Sequence, residues 1–350
     1  MYKRLEEVNQ GLNNLRENGL SKGKSVGFNW DDLPYTVKLG TTTYIAAPPG
    51  TGKTELQKEL LINLSCLHGW LHVIWSPETG SPEEIFAELC HAFIGKSYLK
   101  SKWQMSERER LDAEYFINEH FIIIDIDDEE EDFTITDFYS LCDKIEIETG
   151  KKIHTTTIDP WNELDEHYID SDLGREDKFI SRSLKLVRRD AKKNNRHNFI
   201  LTHVRDQGMV SEGGITYYPF PHAREIAGGQ TWFRKGMTVI LMWRPPFGLS
   251  DSNHRAYGEN ELQIRIGKVK PKGTSKRGTY ILNLDTHKYQ YYILTDANQK
   301  IYADRGQHSF NQYDDVKPLP KPLTPNKHFQ DIDKEIEQLG IDYKPTKFID

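Results

Sequence analysis

The chain has 350 residues, 37% hydrophobic and 28% charged, with a formal net charge of −7, which gives enough apolar material for a sizeable core in one or two domains and excludes disorder throughout. Mean hydropathy is −0.69, and apolar runs such as Val239–Trp243 fall far short of the roughly 20 residues a spanning helix needs, so a bilayer crossing is excluded. The start, Met1-Tyr2-Lys3-Arg4-Leu5-Glu6-Glu7, lacks the apolar stretch of a secretion signal, and the widely spaced Cys66, Cys90 and Cys142 fit neither a disulfide framework nor a Cys-x-x-Cys metal site, so a reducing cytoplasm is expected.

In chain order, Leu5, Val8, Leu12 and Leu15 recur at spacings of three and four, predicting a helix of roughly four turns that Gly19 closes. Its narrow stripe suits packing on its own domain and docking on a neighbouring subunit equally. Short β-branched or aromatic runs then alternate with helical segments: Thr42–Ala46, Leu71–Trp75, Phe121–Ile124, Ile153–Ile158, Asn198–Thr202 and Met237–Trp243. That alternation predicts an α/β fold, with βαβ units around a mostly parallel sheet. Leu262–Ile266, Thr279–Leu284 and Tyr289–Leu294 read as antiparallel additions at the sheet edge.

Charge is sorted along the chain. The acidic run from Asp125 to Asp132 reads as a solvated loop. In the basic stretch Arg182–Arg196, Ile180, Leu184, Val187 and Ala191 fall at helical spacing, so its charges read as a solvated helix face. Arg265, Lys268, Lys270, Lys272, Lys276 and Arg277 have no acid between them and make the better anion site. Prolines 318, 320, 322 and 325 predict an extended tail over residues 306–350. No repeat of fixed period is present, which argues against a solenoid or propeller.

Ala47-Pro48-Pro49-Gly50-Thr51-Gly52-Lys53-Thr54 follows a predicted strand and opens the helical stretch Glu55–Leu64, the context of a phosphate-binding P-loop. It departs from the strict pattern at Ala47, where glycine is usual. Pro49, Gly50, Thr51 and Gly52 would turn backbone N–H groups toward a β-phosphate, Lys53 would bridge β- and γ-phosphates, and the Thr54 hydroxyl would hold Mg²⁺. Asp159, at the end of the strand Ile153–Ile158, is the second Mg²⁺ anchor, acting through water, unless it merely begins the turn before Pro160. Glu78 is the preferred base for orienting water, with Glu163 as competitor, and His203 could sense the γ-phosphate.

The order of these motifs, with His68-Gly69-Trp70 leading to Trp75-Ser76-Pro77-Glu78, then Ile158-Asp159-Pro160-Trp161-Asn162-Glu163-Leu164 and Thr202-His203, resembles the RecA-type motor of Twinkle-like and DnaB-like replicative helicases. Glu225-Ile226-Ala227-Gly228-Gly229-Gln230 with Trp232, Phe233 and Lys235 is similar to the family's fourth motif. Gly267-Lys268-Val269-Lys270 is similar to the segment that supplies cations in trans. The resemblance divides the chain into a subunit-docking helix over 1–19, a motor over 20–300 and the tail. It implies a hexameric ring translocating on single-stranded DNA, with ATP and Mg²⁺ at each interface. Lys53, Thr54, Asp159, Glu78 and His203 would then act in cis, and Lys268 and Lys270 on the next subunit's nucleotide.

Arg205, Arg224, Gly228, Gln230 and Lys235, in loops around 205–225 and 228–235, would face DNA, and Tyr217, Tyr218 and Phe220 either stack on bases or pack the loop down. Lys270 stands where the family usually has arginine, so the motor is slow or Arg277 substitutes. Against this resemblance the family's usual primase-like domain is expected to be missing, so a primase or other replication protein would be a separate partner; the compact length would suit a phage or mobile-element replication protein, in the host cytoplasm if phage-encoded. Two other classes share the nucleotide site: a RecA-like recombination ATPase forming filaments on single strands, and a degenerate P-loop accessory that binds DNA.

Overall fold

Among the described residues one ten-stranded mixed sheet takes in all nine runs read as strands, and two further sheets have two strands each. The computed structural model describes residues 2–126, 132–166, 169, 172, 174–205 and 207–306. Contacts divide the chain into a unit spanning Met1–Tyr313 and a second spanning Asp314–Asp350. The second unit lies outside the described residues, as do the expected tail beyond Gly306 and most of the acidic run after Asp125.

The elements in order are α1 (Asn9–Asn18), β1 (Lys24–Ser25), β2 (Thr36–Val37), β3 (Thr42–Ala47), α2 (Lys53–His68), β4 (His72–Trp75), α3 (Pro82–Ile94), α4 (Glu107–His120), β5 (Phe121–Ile124), α5 (Ile135–Thr149), β6 (Thr155–Ile158), α6 (Glu176–Lys193) and β7 (His197–His203). There follow β8 (Val210–Glu212), β9 (Ile215–Tyr217), α7 (Thr231–Lys235), β10 (Thr238–Trp243), β11 (Glu261–Lys268), β12 (Gly278–Asp285), β13 (Gln290–Leu294) and β14 (Lys300–Tyr302). Helix starts follow capping chemistry. Ser81 with Glu84, Ser106 with Glu109 and Thr134 with Asp137 form reciprocal capping boxes at α3, α4 and α5.

The main sheet has ten strands in the order β14-β13-β12-β11-β10-β3-β7-β6-β4-β5. From β10 to β5 the pairing is parallel, and from β10 to β14 antiparallel. Apolar side chains of α2, α3 and α4, such as Leu60, Leu89 and Phe116, build one core cluster; those of α5, α6 and α7, such as Phe138, Val187 and Trp232, build a second. Strands covered on both faces must be apolar or internally satisfied. This explains why β6 tolerates three buried threonines. Thr155 meets His72 Nδ1 at 2.6 Å, Thr156 donates to Asn198 Oδ1 at 2.9 Å, and Thr157 accepts from Gln57 Nε2 at 3.1 Å.

One expectation is revised. The stretch 182–196 is not wholly a solvated face, because Arg196 is fully buried: its Nε donates to Asp190 at 2.8 Å, and its guanidinium also pairs with Asp143 at 3.0 Å. A guanidinium removed from water requires such carboxylates. Leu5, Leu12 and Leu15 are 68%, 41% and 46% exposed, and no residue of α1 is buried, so the N-terminal stripe does not enter its own core. No described helix is long and apolar enough to cross a membrane.

At the base of β3, His197 is buried, its Nε2 3.0 Å from Thr43 Oγ1 and its Nδ1 3.0 Å from Thr41 Oγ1. Burial pushes its pKa down to about 4, with the Lys38 carbonyl opposing. The unfolded chain therefore binds the extra proton first on acidification. Stability is complete above about pH 6.5 and falls as pH drops from there through 4, a loss of about 3 kcal/mol from this residue. Unfolding midpoints measured from pH 7 to pH 4 should show that slope, and His197→Gln should flatten it.

Candidate nucleotide-binding site

The strand-to-helix turn after β3 is shaped by two glycines. Gly50 has φ of +71° and Gly52 of +95°, conformations that side chains disfavour. The Thr51 hydroxyl donates to Pro48 O at 2.7 Å, closing the loop on itself. Pro49 and Gly50 stand exposed at its mouth, whereas Thr51 and Lys53 are buried. Lys53 is thus a cation drawn out of water at a helix N-terminus. Burial lowers its pKa, while Asp159, Glu78 and Glu55 pull it back up.

Four of the other residues the motifs nominate converge here. Thr54 Oγ1 donates to Asp159 Oδ2 at 2.6 Å. Burial raises the pKa of Asp159, against the Thr54 hydrogen bond and the charge of Lys53. A desolvated carboxylate beside a hydroxyl suits Mg²⁺, which takes one or two protein oxygens and completes its shell with water and phosphate. Lys53 Nζ donates to His203 Nδ1 at 3.3 Å, and His203 Nε2 lies 3.4 Å from Glu78 Oε2. Burial, then the charge of Lys53, lowers the His203 pKa, with Glu78 opposing; an ammonium can only donate, so Nδ1 is the acceptor and Nε2 faces Glu78. Glu78 sits in the short turn Pro77–Thr79 after β4, pinned by a 2.5 Å contact between Ser76 Oγ and Thr79 Oγ1.

Three further residues join the cluster: Arg244 and Tyr291 carry no motif signal of their own, whereas Asn162 lies inside the Asp159–Leu164 segment that carries the resemblance. Arg244, just past β10, donates to Thr51 O at 3.5 Å, and Tyr291 on β13 donates to Gly52 O at 3.4 Å. Asn162 Oδ1 accepts from Thr202 Oγ1 at 3.1 Å and from the His203 N–H at 3.2 Å.

Lys268 and Lys270 are not part of this cluster. Lys268 pairs in register with Val239, and Val239 with Tyr44 of β3. It therefore lies two strands across and three residues below the end of β3, about 10 Å in each direction, and the chain runs on from there away from the P-loop. Burial lowers its pKa, with Lys270 and Arg277 adding to the effect; its ammonium donates to the carbonyls of Phe233 and, at 3.0 Å, Arg234.

The residues nominated for DNA form another neighbourhood. Arg224 and Gln230 line a cleft of about 380 Å³, and Lys235 is exposed. Arg205 pairs with Glu176 at 3.3 Å. Gly228 is buried against α6, where a Cβ would meet Ile180 at 1.8 Å, so its conformation and packing call for glycine. Tyr217 and Phe220 pack on Trp243 at 6.3 and 5.5 Å, which fits the packed alternative for this loop.

No protein-family model matches the chain. It is 24% identical over 280 residues to the Twinkle homolog protein, chloroplastic/mitochondrial, of Arabidopsis thaliana, a match that takes in 77% of this chain and 36% of that protein. Among solved structures it is similar to the ATPase domain of G40P, with a TM-score of 0.62 at 16% identity over 83% of this chain and 99% of that one. A DnaB-like replicative helicase, described with its interactions with primase, matches at the same TM-score and identity over 82% and 68%. The chain has the RecA-like fold of DnaB-like helicase motor domains.

The shape of the turn is itself testable. A Cβ on Gly52 would lie 3.0 Å from the Tyr291 hydroxyl and 3.3 Å from Arg244, on top of the unfavourable φ. Gly52→Ala should lower the unfolding free energy by about 1–2 kcal/mol in denaturant titrations, and adding Tyr291→Phe should restore part of it.

Proposed function

We propose that this chain is the motor of an ATP-dependent replicative DNA helicase that translocates on single-stranded DNA as a ring of identical copies, six by the family resemblance. The observation that carries this reading is the division of charge. Lys53, Thr54, Asp159, Glu78 and His203 meet at one end of the sheet, while Lys268 and Lys270 stand at the other, beyond reach of their own P-loop. In a ring each copy would offer its P-loop to one neighbour and its basic edge to the other, and the interface would repeat head to tail.

Within one site, Lys53 and the N–H groups of the Gly50–Lys53 turn would bind phosphate, Glu78 would orient the attacking water, and His203 would report the γ-phosphate. Mg²⁺, held by Thr54 and through water by Asp159, would supply neutralisation of the phosphate charge. The DNA-facing segment is joined to the same strand end. Arg205 N donates to Glu225 O at 2.7 Å and Ala227 N to His203 O at 3.1 Å, so a shift at His203 is carried into the loops bearing Arg224 and Gln230. The exposed leucine stripe of α1 suits a neighbouring copy, a separate primase suits the role of partner, and the cytoplasm suits a soluble replication motor.

Lys53→Ala should abolish ATP turnover while leaving the unfolding transition intact. Glu78→Gln should bind ATP and fail to hydrolyse it; full activity would move the base to Glu163. Two inactive variants, Lys53→Ala and Lys268→Ala, should complement when mixed, because random head-to-tail assembly makes about a quarter of the sites complete. Turnover measured with single-stranded DNA, alongside the mass of the complex, checks this. A strictly monomeric protein with both ligands present, or helical filaments by electron microscopy, would overturn the ring.

A further inference from the structure

Asn162 is exposed, three residues past Asp159. Its side-chain oxygen takes two hydrogen bonds from the end of β7, from the Thr202 hydroxyl at 3.1 Å and the His203 N–H at 3.2 Å. Those bonds fix the backbone from which the imidazole projects. The imidazole in turn meets Lys53 Nζ at 3.3 Å with one nitrogen and Glu78 Oε2 at 3.4 Å with the other. The phosphate-gripping cation and the water-orienting carboxylate are therefore tied to one ring, and that ring is tied to Asn162.

We propose that Asn162 is the positioning residue of a latch: it seats His203 so that the nucleotide-free site holds Lys53 and Glu78 to each other through the imidazole, and arriving phosphate opens the latch by drawing Lys53 away. The inference rests on the hydrolytic reading above and concerns how that site is regulated. Two consequences follow from the geometry. Binding nucleotide must break the Lys53–His203 hydrogen bond, so the latch weakens binding. Hydrolysis needs His203 and Glu78 in register afterwards, so the same anchor favours turnover.

Asn162→Leu keeps the size of the side chain and removes the acceptor; Asn162→Asp keeps the acceptor. Being exposed, the position puts no core packing at risk, and the unfolding midpoint of each variant checks this. Steady-state ATPase assays on the assembled full chain should show kcat for Asn162→Leu down by about tenfold with KM for ATP lowered as well, a joint fall that marks lost ground-state restraint. Asn162→Asp should return kcat to within about threefold of the parent. Thr202→Val, which removes one of the two donors, should give a smaller change of the same sign. A parent-like kcat and KM in Asn162→Leu, a raised KM with unchanged kcat, or a loss that aspartate does not restore would each overturn the latch. Absence of ATPase activity in the parent chain would instead strike the hydrolytic reading itself.

Discussion

A lysine ammonium withdrawn from water at the start of α2 is the interaction on which the rest of the structure turns. Such a cation is costly to bury unless opposite charge or phosphate is close, and here the surrounding groups are supplied by four separate strand ends: Asp159 after β6, Glu78 after β4, His203 on β7, and the loop after β3 that bears Lys53 itself. Parallel pairing brings the carboxyl ends of all four strands to one edge, which is where open α/β sheets hold their ligands. The fold and the site are in this sense one arrangement, because the sheet order that buries the apolar strands also assembles the polar ones.

The antiparallel extension has the opposite effect. Strands β11 to β14 continue the sheet sideways, and because β11 runs against β10 its basic end finishes at the edge remote from the nucleotide site. A chain built this way separates its P-loop from its own cationic edge. Lys268 meanwhile satisfies the carbonyls of Phe233 and Arg234 at the end of α7, a position where a cation also complements the helix dipole.

Much of this was legible in the sequence because its signals are local. The P-loop is eight consecutive residues, Asp159 and Glu78 each follow a predicted strand, and the strands alternate with segments of helical periodicity. What escaped was long-range or polar. The strands β1, β2, β8, β9 and β14 are two or three residues long, too short to show a period. Thr155–Thr157 fall inside a run read as a strand, but nothing local shows that Gln57, His72 and Asn198 satisfy their hydroxyls. Arg196 reads as solvated because nothing local shows that it is buried against Asp190, six residues before it, and Asp143, 53 residues before it. Arg244 and Tyr291 act through single hydrogen bonds to backbone and Asn162 through two from the end of β7, and no spacing rule announces such contacts.

The end of the sheet carries a final consequence. Past β14, Arg305 reaches back across the first core face: its guanidinium donates to Asn63 at 2.8 Å, to Ala92 O at 3.0 Å, to Phe93 O at 2.9 Å and to the buried carboxylate of Glu59 at 3.0 Å. This arginine is a clasp between the chain's outermost strand and the very helix that begins at the P-loop. Cutting the polypeptide at residue 300 rather than after Gly306 would strand Glu59 without its cation inside the protein, a defect of about 3–5 kcal/mol. A boundary drawn from strand periodicity alone would cut this tie to α2.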